Sequence, residues 1–264
     1  MRKLVITVLV LVGLAVGADY AAAAAAEYEV AKQVRAELGL AADPSVRING
    51  FPFLTQALMG DYSDIDMQAA GLTVGPLHDV AVEASMHDVH APLSELRSGD
   101  LGSVRATTVN GRIRISDRDI GRAIGIEDLR LQPASDEEIS KLLPAGTLPS
   151  PHGQASDRSA VRMVASTDLA GERTDIIAVG VIQIIGTRLQ ITTMDVRLSR
   201  DSVGEVSLPR QIRKMLIQAL STDVQPGGLP FDVTPTKVWV ETGSLVVEGT
   251  ARNVTMSQIG RSVG

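Results

Sequence analysis

From residue 79 to 87 the apolar side chains fall on even numbers: Val80, Val82, Ala84 and Met86. Asp79, Glu83, Ser85 and His87 fall on odd ones. A period of two is a β-strand with one apolar and one polar face. Ile113 and Ile115 alternate in the same way with Arg112 and Arg114, and Val161, Met163 and Ala165 mark a further strand. The run Ile176 to Ile185 is apolar in both phases. That fits either a strand covered on both sides or a central strand against a ligand cavity. Leu189 and Ile191 are odd-numbered, whereas Met194, Val196 and Leu198 are even. A one-residue change of phase flips the faces, so a bulge is expected near Thr192-Thr193. Glu241 to Ser244 reads as the turn of a hairpin joining Val238–Val240 to Leu245–Val247.

Helical periods punctuate the strands. In 20–38, Val30, Val34 and Leu38 recur every four residues, and Gly39 supplies a stop. A short helix over 117–124 follows Ser116 as a possible cap, and 135–143 opens with Ser135 and Glu138 at capping-box spacing. In 208–220, Leu208, Ile212, Met215, Leu216 and Ala219 lie on one side and Arg210, Arg213 and Lys214 on the other. The stretch 144–157, rich in Pro, Gly and Ser, reads as an exposed loop. One long helix followed by many one-sided strands predicts an α+β fold, with the first helix packed in a curved antiparallel sheet.

Between a short strand-like run and a short apolar helix-like run lies Gly50-Phe51-Pro52-Phe53-Leu54-Thr55-Gln56. Gly50 tolerates backbone angles closed to other residues, and Pro52 has no N–H to donate, so the chain must turn here. Phe51, Phe53, Leu54, Leu58 and Met59 either line the entrance of an apolar cavity or plug the end of a core. Phe231 and Trp239 carry the same two readings. Val80, Val82 and Met86, with parts of 176–185, are expected to line an elongated apolar cavity. Gly228-Leu229-Pro230-Phe231 faintly echoes Gly50-Phe51-Pro52-Phe53.

Composition narrows the chemistry. The 264 residues are 44% hydrophobic but only 3% aromatic, so any interior is aliphatic. There is no cysteine, and packing rather than disulfides must hold the fold. Arg2 and Lys3 precede the uncharged run Leu4–Ala18, which has the length of a signal-peptide core. Val16-Gly17-Ala18 offers a cleavage point; a retained signal anchor is the other reading, because the alanine run after Tyr20 extends the same helix. The organisation expected is therefore a leader or anchor over 1–18 and a single domain over 19–264. With 25 basic against 31 acidic residues the net charge is −6, a poor match to nucleic acid, whose binding rests on phosphate neutralisation.

No phosphate-binding loop, dinucleotide fingerprint, nucleophile elbow or zinc-protease helix is present in the sequence. His87 and His90 are an odd distance apart, which points them to opposite faces of a strand. Asp61, Asp64 and Asp66 lack calcium-loop spacing and read as a solvated strand face. No metal and no catalytic residue is expected. Arg210, Arg213 and Lys214 are either a solvated helix face or a contact for anionic headgroups at a membrane surface. An aliphatic tube needs no polar signature to hold lipid. Burying a methylene is worth about 0.8 kcal/mol, so a sixteen-carbon chain gains about 12 kcal/mol before ordering costs.

Gly50–Gln56, the acidic alternating strand Asp64-Ile65-Asp66-Met67-Gln68-Ala69, then Gly71-Leu72-Thr73-Val74, together resemble the LmeA family of actinobacterial phospholipid-binding envelope proteins. The similarity runs from the leader and first helix to Leu229-Pro230-Phe231 and the final hairpin. It implies a non-enzymatic phospholipid-binding protein of the periplasm or the outer face of the plasma membrane. It also implies support of lipomannan and lipoarabinomannan maturation, hence contact with envelope mannosyltransferase machinery, and a fold like the lipid-binding domains of the bactericidal/permeability-increasing type. No catalytic residue is carried over. An envelope scaffold that binds a protein partner and a hydrolase of envelope lipids or glycans remain open as alternatives.

Overall fold

The computed structural model describes residues 1–92, 94, 103–126, 128–142, 155–169, 172–186, 188–200, 204–206, 208–224 and 234–255. The elements are α1 (Arg2–Leu38), β1 (Ser45–Asn49), α2 (Phe53–Met59), β2 (Asp61–Val74), β3 (Leu77–His90), β4 (Arg105–Ser116), α3 (Asp117–Ile124), β5 (Leu129–Pro133), α4 (Asp136–Ser140), β6 (Arg158–Leu169), β7 (Glu172–Ile185), β8 (Arg188–Arg200), β9 (Gly204–Val206), α5 (Arg210–Leu220), β10 (Thr222–Val224), β11 (Thr234–Glu241) and β12 (Ser244–Thr255). The fold is α+β, as the periodicity predicts. The strands form two sheets, ordered β1-β2-β3-β4-β12-β11 and β10-β8-β7-β6-β5, with β9 paired to β8.

By its contacts the chain divides into two compact units. The first comprises Met1–Leu72, Val82–Gly111 and Ala251–Gly264. In it α1 packs against β1 and α2. Its covered side runs through Asp19, Ala22, Ala23, Ala26, Glu27, Val30, Ala31, Val34 and Leu38, at the three- and four-residue steps of one helical face. Val30, Val34 and Leu38 are half-buried on that face. Glu27 accepts the Ile48 N–H of β1 at 2.8 Å, which ties strand to helix. From Leu4 to Ala15 the same helix is exposed on every side. The helix is long and apolar enough near its start to cross a membrane, a property a signal sequence shares. It ends at Gly39, whose left-handed backbone sends its N–H to Arg35 O.

The second unit comprises Thr73–Ala81 and Arg112–Thr250. Its caps follow the sequence: Ser116 Oγ accepts from Asp119 N at 3.1 Å, and Ser135 with Glu138 closes a capping box. One apolar cluster gathers Leu129, Leu131, Val161, Ile182, Leu189, Val238, Val240 and Leu245. A second gathers Ala134, Ile139, Val164, Ile177 and Val179. β7 therefore meets apolar side chains on both faces, which is why its sequence has no polar phase. The expected bulge is present: Val179 pairs with Asp195 and Gly180 with Thr193, leaving Met194 as the extra residue. Gly180 is required there, because a Cβ would stand 2.5 Å from Thr192 O.

Candidate functional site

The turn between β1 and α2 is built around Gly50 and Asp19. Gly50 has φ +105°, and a Cβ on it would come within 2.6 Å of Gln56 Nε2. Gln56 in turn accepts Ser63 N–H at 3.0 Å. The Phe51–Pro52 peptide is cis. The buried Asp19 carboxylate reaches across from α1 and accepts Phe53 N–H at 2.9 Å and Leu54 N–H at 2.8 Å. These are donors that a helix start leaves without intrahelical partners. One residue on, Tyr20 stacks on Phe51 with ring centroids 6.3 Å apart.

The two phenylalanines part company here. Phe53 is 6% exposed and tilts against Tyr62 at 6.3 Å. Burial pushes the Tyr62 phenol up from its ordinary value. Phe51 is 60% exposed, Leu54 44%, Leu58 83% and Met59 68%. Phe53 is thus a plug, while Phe51, Leu54, Leu58 and Met59 form an apolar face on the surface. The cause lies at long range: Asp19 and Tyr62 decide which side of the turn faces in.

On β3, Val80, Ala84 and Met86 are buried and Val82 is half-buried, so the even-numbered face is the covered one. Trp239 is buried on β11, donates Nε1–H to Glu241 at 3.0 Å and carries the Arg112 guanidinium over its ring at 5.6 Å. Arg112 also grips Glu248 at 2.6 Å and Lys237 lies 3.2 Å from the same carboxylate. Burial raises the Glu248 carboxyl, but hydrogen bonds and charge from Arg112 and Lys237 outweigh it and hold the group below its ordinary value. Phe231 and the Gly228–Phe231 echo lie outside the described residues.

On α5, Arg210 and Lys214 are exposed and Arg213 is half-buried, 3.7 Å from Asp195 of β8. The apolar stripe splits. Leu216 and Ile217 are half-buried, whereas Ile212 and Met215 face solvent. The Arg213–Asp195 pair and the bonds joining Thr193 to Leu220 and Ser221 set that rotation.

The acidic strand and the histidines meet across β2 and β3. His87 pairs with Asp64, His90 Nδ1 lies 2.6 Å from Asp61, and Asp66 accepts from Ser85 Oγ and Asn49 Nδ2, each at 2.7 Å. Those two bonds, Ser85 first, hold the Asp66 carboxyl below its ordinary value. His87 and His90 each have their own aspartate, and among the described residues no three metal-ligating side chains converge. Two carboxylates escaped the sequence reading. Asp19 is one. Asp119 is the other, fully buried and accepting the N–H groups of His78 and Asp79 at 2.9 Å each. Both have partners more than thirty positions away. Asp19 is at least a lone charge among small and apolar residues, whereas Asp119 sits beside Asp117, Arg118 and Arg122 and nothing local singles it out.

Neither the curated proteins nor the solved structures hold a match to this chain. The profile of a family described as LmeA-like phospholipid-binding matches residues 17–250, from the end of the exposed apolar run to the last strand. That span takes in the Asp19 clamp, the cis-proline turn and both sheets, and the chain belongs to the LmeA-like phospholipid-binding family.

Proposed function

We propose that the protein is a non-enzymatic phospholipid-binding protein of the cell envelope. The observation that carries this reading is the family match over 17–250. The exposed side chains of Phe51, Leu54, Leu58 and Met59 support it, since single exposed apolar residues are ordinary but four large ones within nine positions concentrate apolar surface at one turn and helix. In this reading 19–264 acts as one lipid-binding domain. Acyl chains pass Phe51 and Leu54 and lie against aliphatic side chains of the same unit, Val82, Ala84 and Met86 of β3 among them. Arg210, Lys214 and, more weakly, the Asp195-bound Arg213 attract anionic headgroups. Export follows from the basic start and apolar run of α1. Support of lipoglycan maturation, by supplying lipid to envelope mannosyltransferases, or transfer of phospholipid between membranes, is the role this activity would serve.

The test is mass spectrometry of solvent extracts from the purified full chain. A diacyl phospholipid near one per protein is the expected result. Protein that carries none, and takes up none from neutral or anionic vesicles, ends the reading.

A further inference from the structure

We infer that α1 stays with the mature chain as a membrane anchor, and that Tyr20, Phe51, Leu54, Leu58 and Met59 form a face seated in the leaflet interface where α1 leaves the bilayer. The inference deepens the lipid-binding reading and rests on it, because a protein that draws phospholipid from a bilayer must present a face to one.

Helix length is the first ground. The uncharged run Leu4–Ala18 spans about 22 Å at 1.5 Å per residue, short of a hydrocarbon core of about 30 Å. A short span is accommodated by local thinning of the bilayer, which brings the interface toward any apolar surface that lies beside the helix where it leaves. That surface is present. The helix is bare up to Ala15 and starts to pack at Val16 and Asp19. At that level Tyr20 stacks on Phe51, and Leu54, Leu58 and Met59 stand exposed on the adjoining turn and helix.

Asp19 is the second ground. A carboxylate at the edge of a bilayer is costly unless its oxygens are satisfied. Here one oxygen accepts Phe53 N–H and the other Leu54 N–H, and the group is buried. The same two bonds fix α2, and with it Leu54, Leu58 and Met59, to the helix at the exit point. A leader cut within the Ala21–Ala26 run would remove this clamp and leave both donors without it. Tyrosine with an apolar body and a polar tip suits this depth.

The chain has no cysteine, so single labels are clean. Leu58→Cys and Met59→Cys replace exposed side chains, and Thr107→Cys, exposed on β4, serves as reference. Each full-length variant carries an environment-sensitive fluorophore and is reconstituted into phosphatidylcholine–phosphatidylglycerol vesicles. Labels at 58 and 59 should be quenched severalfold more by shallow nitroxide lipids than the label at 107, and severalfold less by aqueous iodide. Intact mass of protein taken from the producing cell's membranes should include residues 1–18. Iodide access at 58 and 59 equal to that at 107 overturns the docking face. Shielding from iodide without lipid quenching also overturns it, and means that protein covers the face. A mature N-terminus at residue 19 or later overturns the anchor. Any of these with phospholipid still extractable sinks this inference alone; the absence of extractable lipid sinks the reading beneath it.

Discussion

Asp19 holds one buried backbone donor, Phe53 N–H, and one half-buried donor, Leu54 N–H, and Asp19→Ala removes the partner of both. An unsatisfied buried donor costs about 1–3 kcal/mol and the half-buried one, which water can reach, about 1 kcal/mol at most, so a loss of about 1–4 kcal/mol is expected in urea unfolding of the full chain. A loss under about 0.5 kcal/mol would mean that water replaces the carboxylate freely. The phenylalanines offer a sharper contrast. Phe53→Ala empties a packed site and should cost about 3–5 kcal/mol, whereas Phe51→Ala removes an exposed ring and should cost under about 1 kcal/mol. Equal effects from the two, in the same unfolding experiment, would contradict the division into plug and surface face. Gly180 allows no side chain because Thr192 O lies within 2.5 Å of where its Cβ would sit, and Gly180→Ala should destabilise by about 1–3 kcal/mol.

At the scale of elements, the β4–β12–β11 strands are pinned by Arg112, Glu248 and Lys237, and α4 is pinned to β6 by Glu138 with Arg162. Both carboxyls titrate below their ordinary value of 4.5 in the folded chain; burial works against this but hydrogen bonds and opposite charge prevail. A carboxyl lowered in the folded state stabilises fully above its unfolded value, and that stabilisation fades as pH falls through the folded value. Stability should therefore be flat above pH 4.5 and decline below it, with Glu248→Gln shallower on the acid limb. The lone tryptophan, Trp239, packs under Arg112 and reports the change by fluorescence. An acid limb identical in Glu248→Gln and wild type would remove Glu248 from the account. The elements themselves were largely readable beforehand. The capping box, the Gly39 stop, the final hairpin and a bulge beside Thr192-Thr193 all follow from local spacing; the strand pairing assigns the extra residue to Met194. The rotation of α5 was not readable, because it rests on Asp195 and Thr193 of β8, which the helix's own sequence does not record.

For the whole molecule, apolar contact should govern lipid loading. Leu54→Asp places a charge on the apolar face and should lower the phospholipid bound per protein by about tenfold or more, since an ion loses hydration there. Arg213→Ala, already engaged with Asp195, should change it by about fivefold at most and less in salt. The reverse order, read by mass spectrometry of extracts from both folded variants, would make headgroup charge the dominant force. The period of the side chains, the caps and the glycines determined the kinds of element, their order and the α+β class, because backbone period and local hydrogen bonding act within a few residues. The Gly50–Gln56 segment likewise pointed to the family. Which aromatic is buried, what Asp19 and Asp119 hold, and which face of the α2 turn is left apolar and open were decided only by the tertiary structure. Burial depends on partners that the chain brings together from tens of residues away, and no local pattern records them.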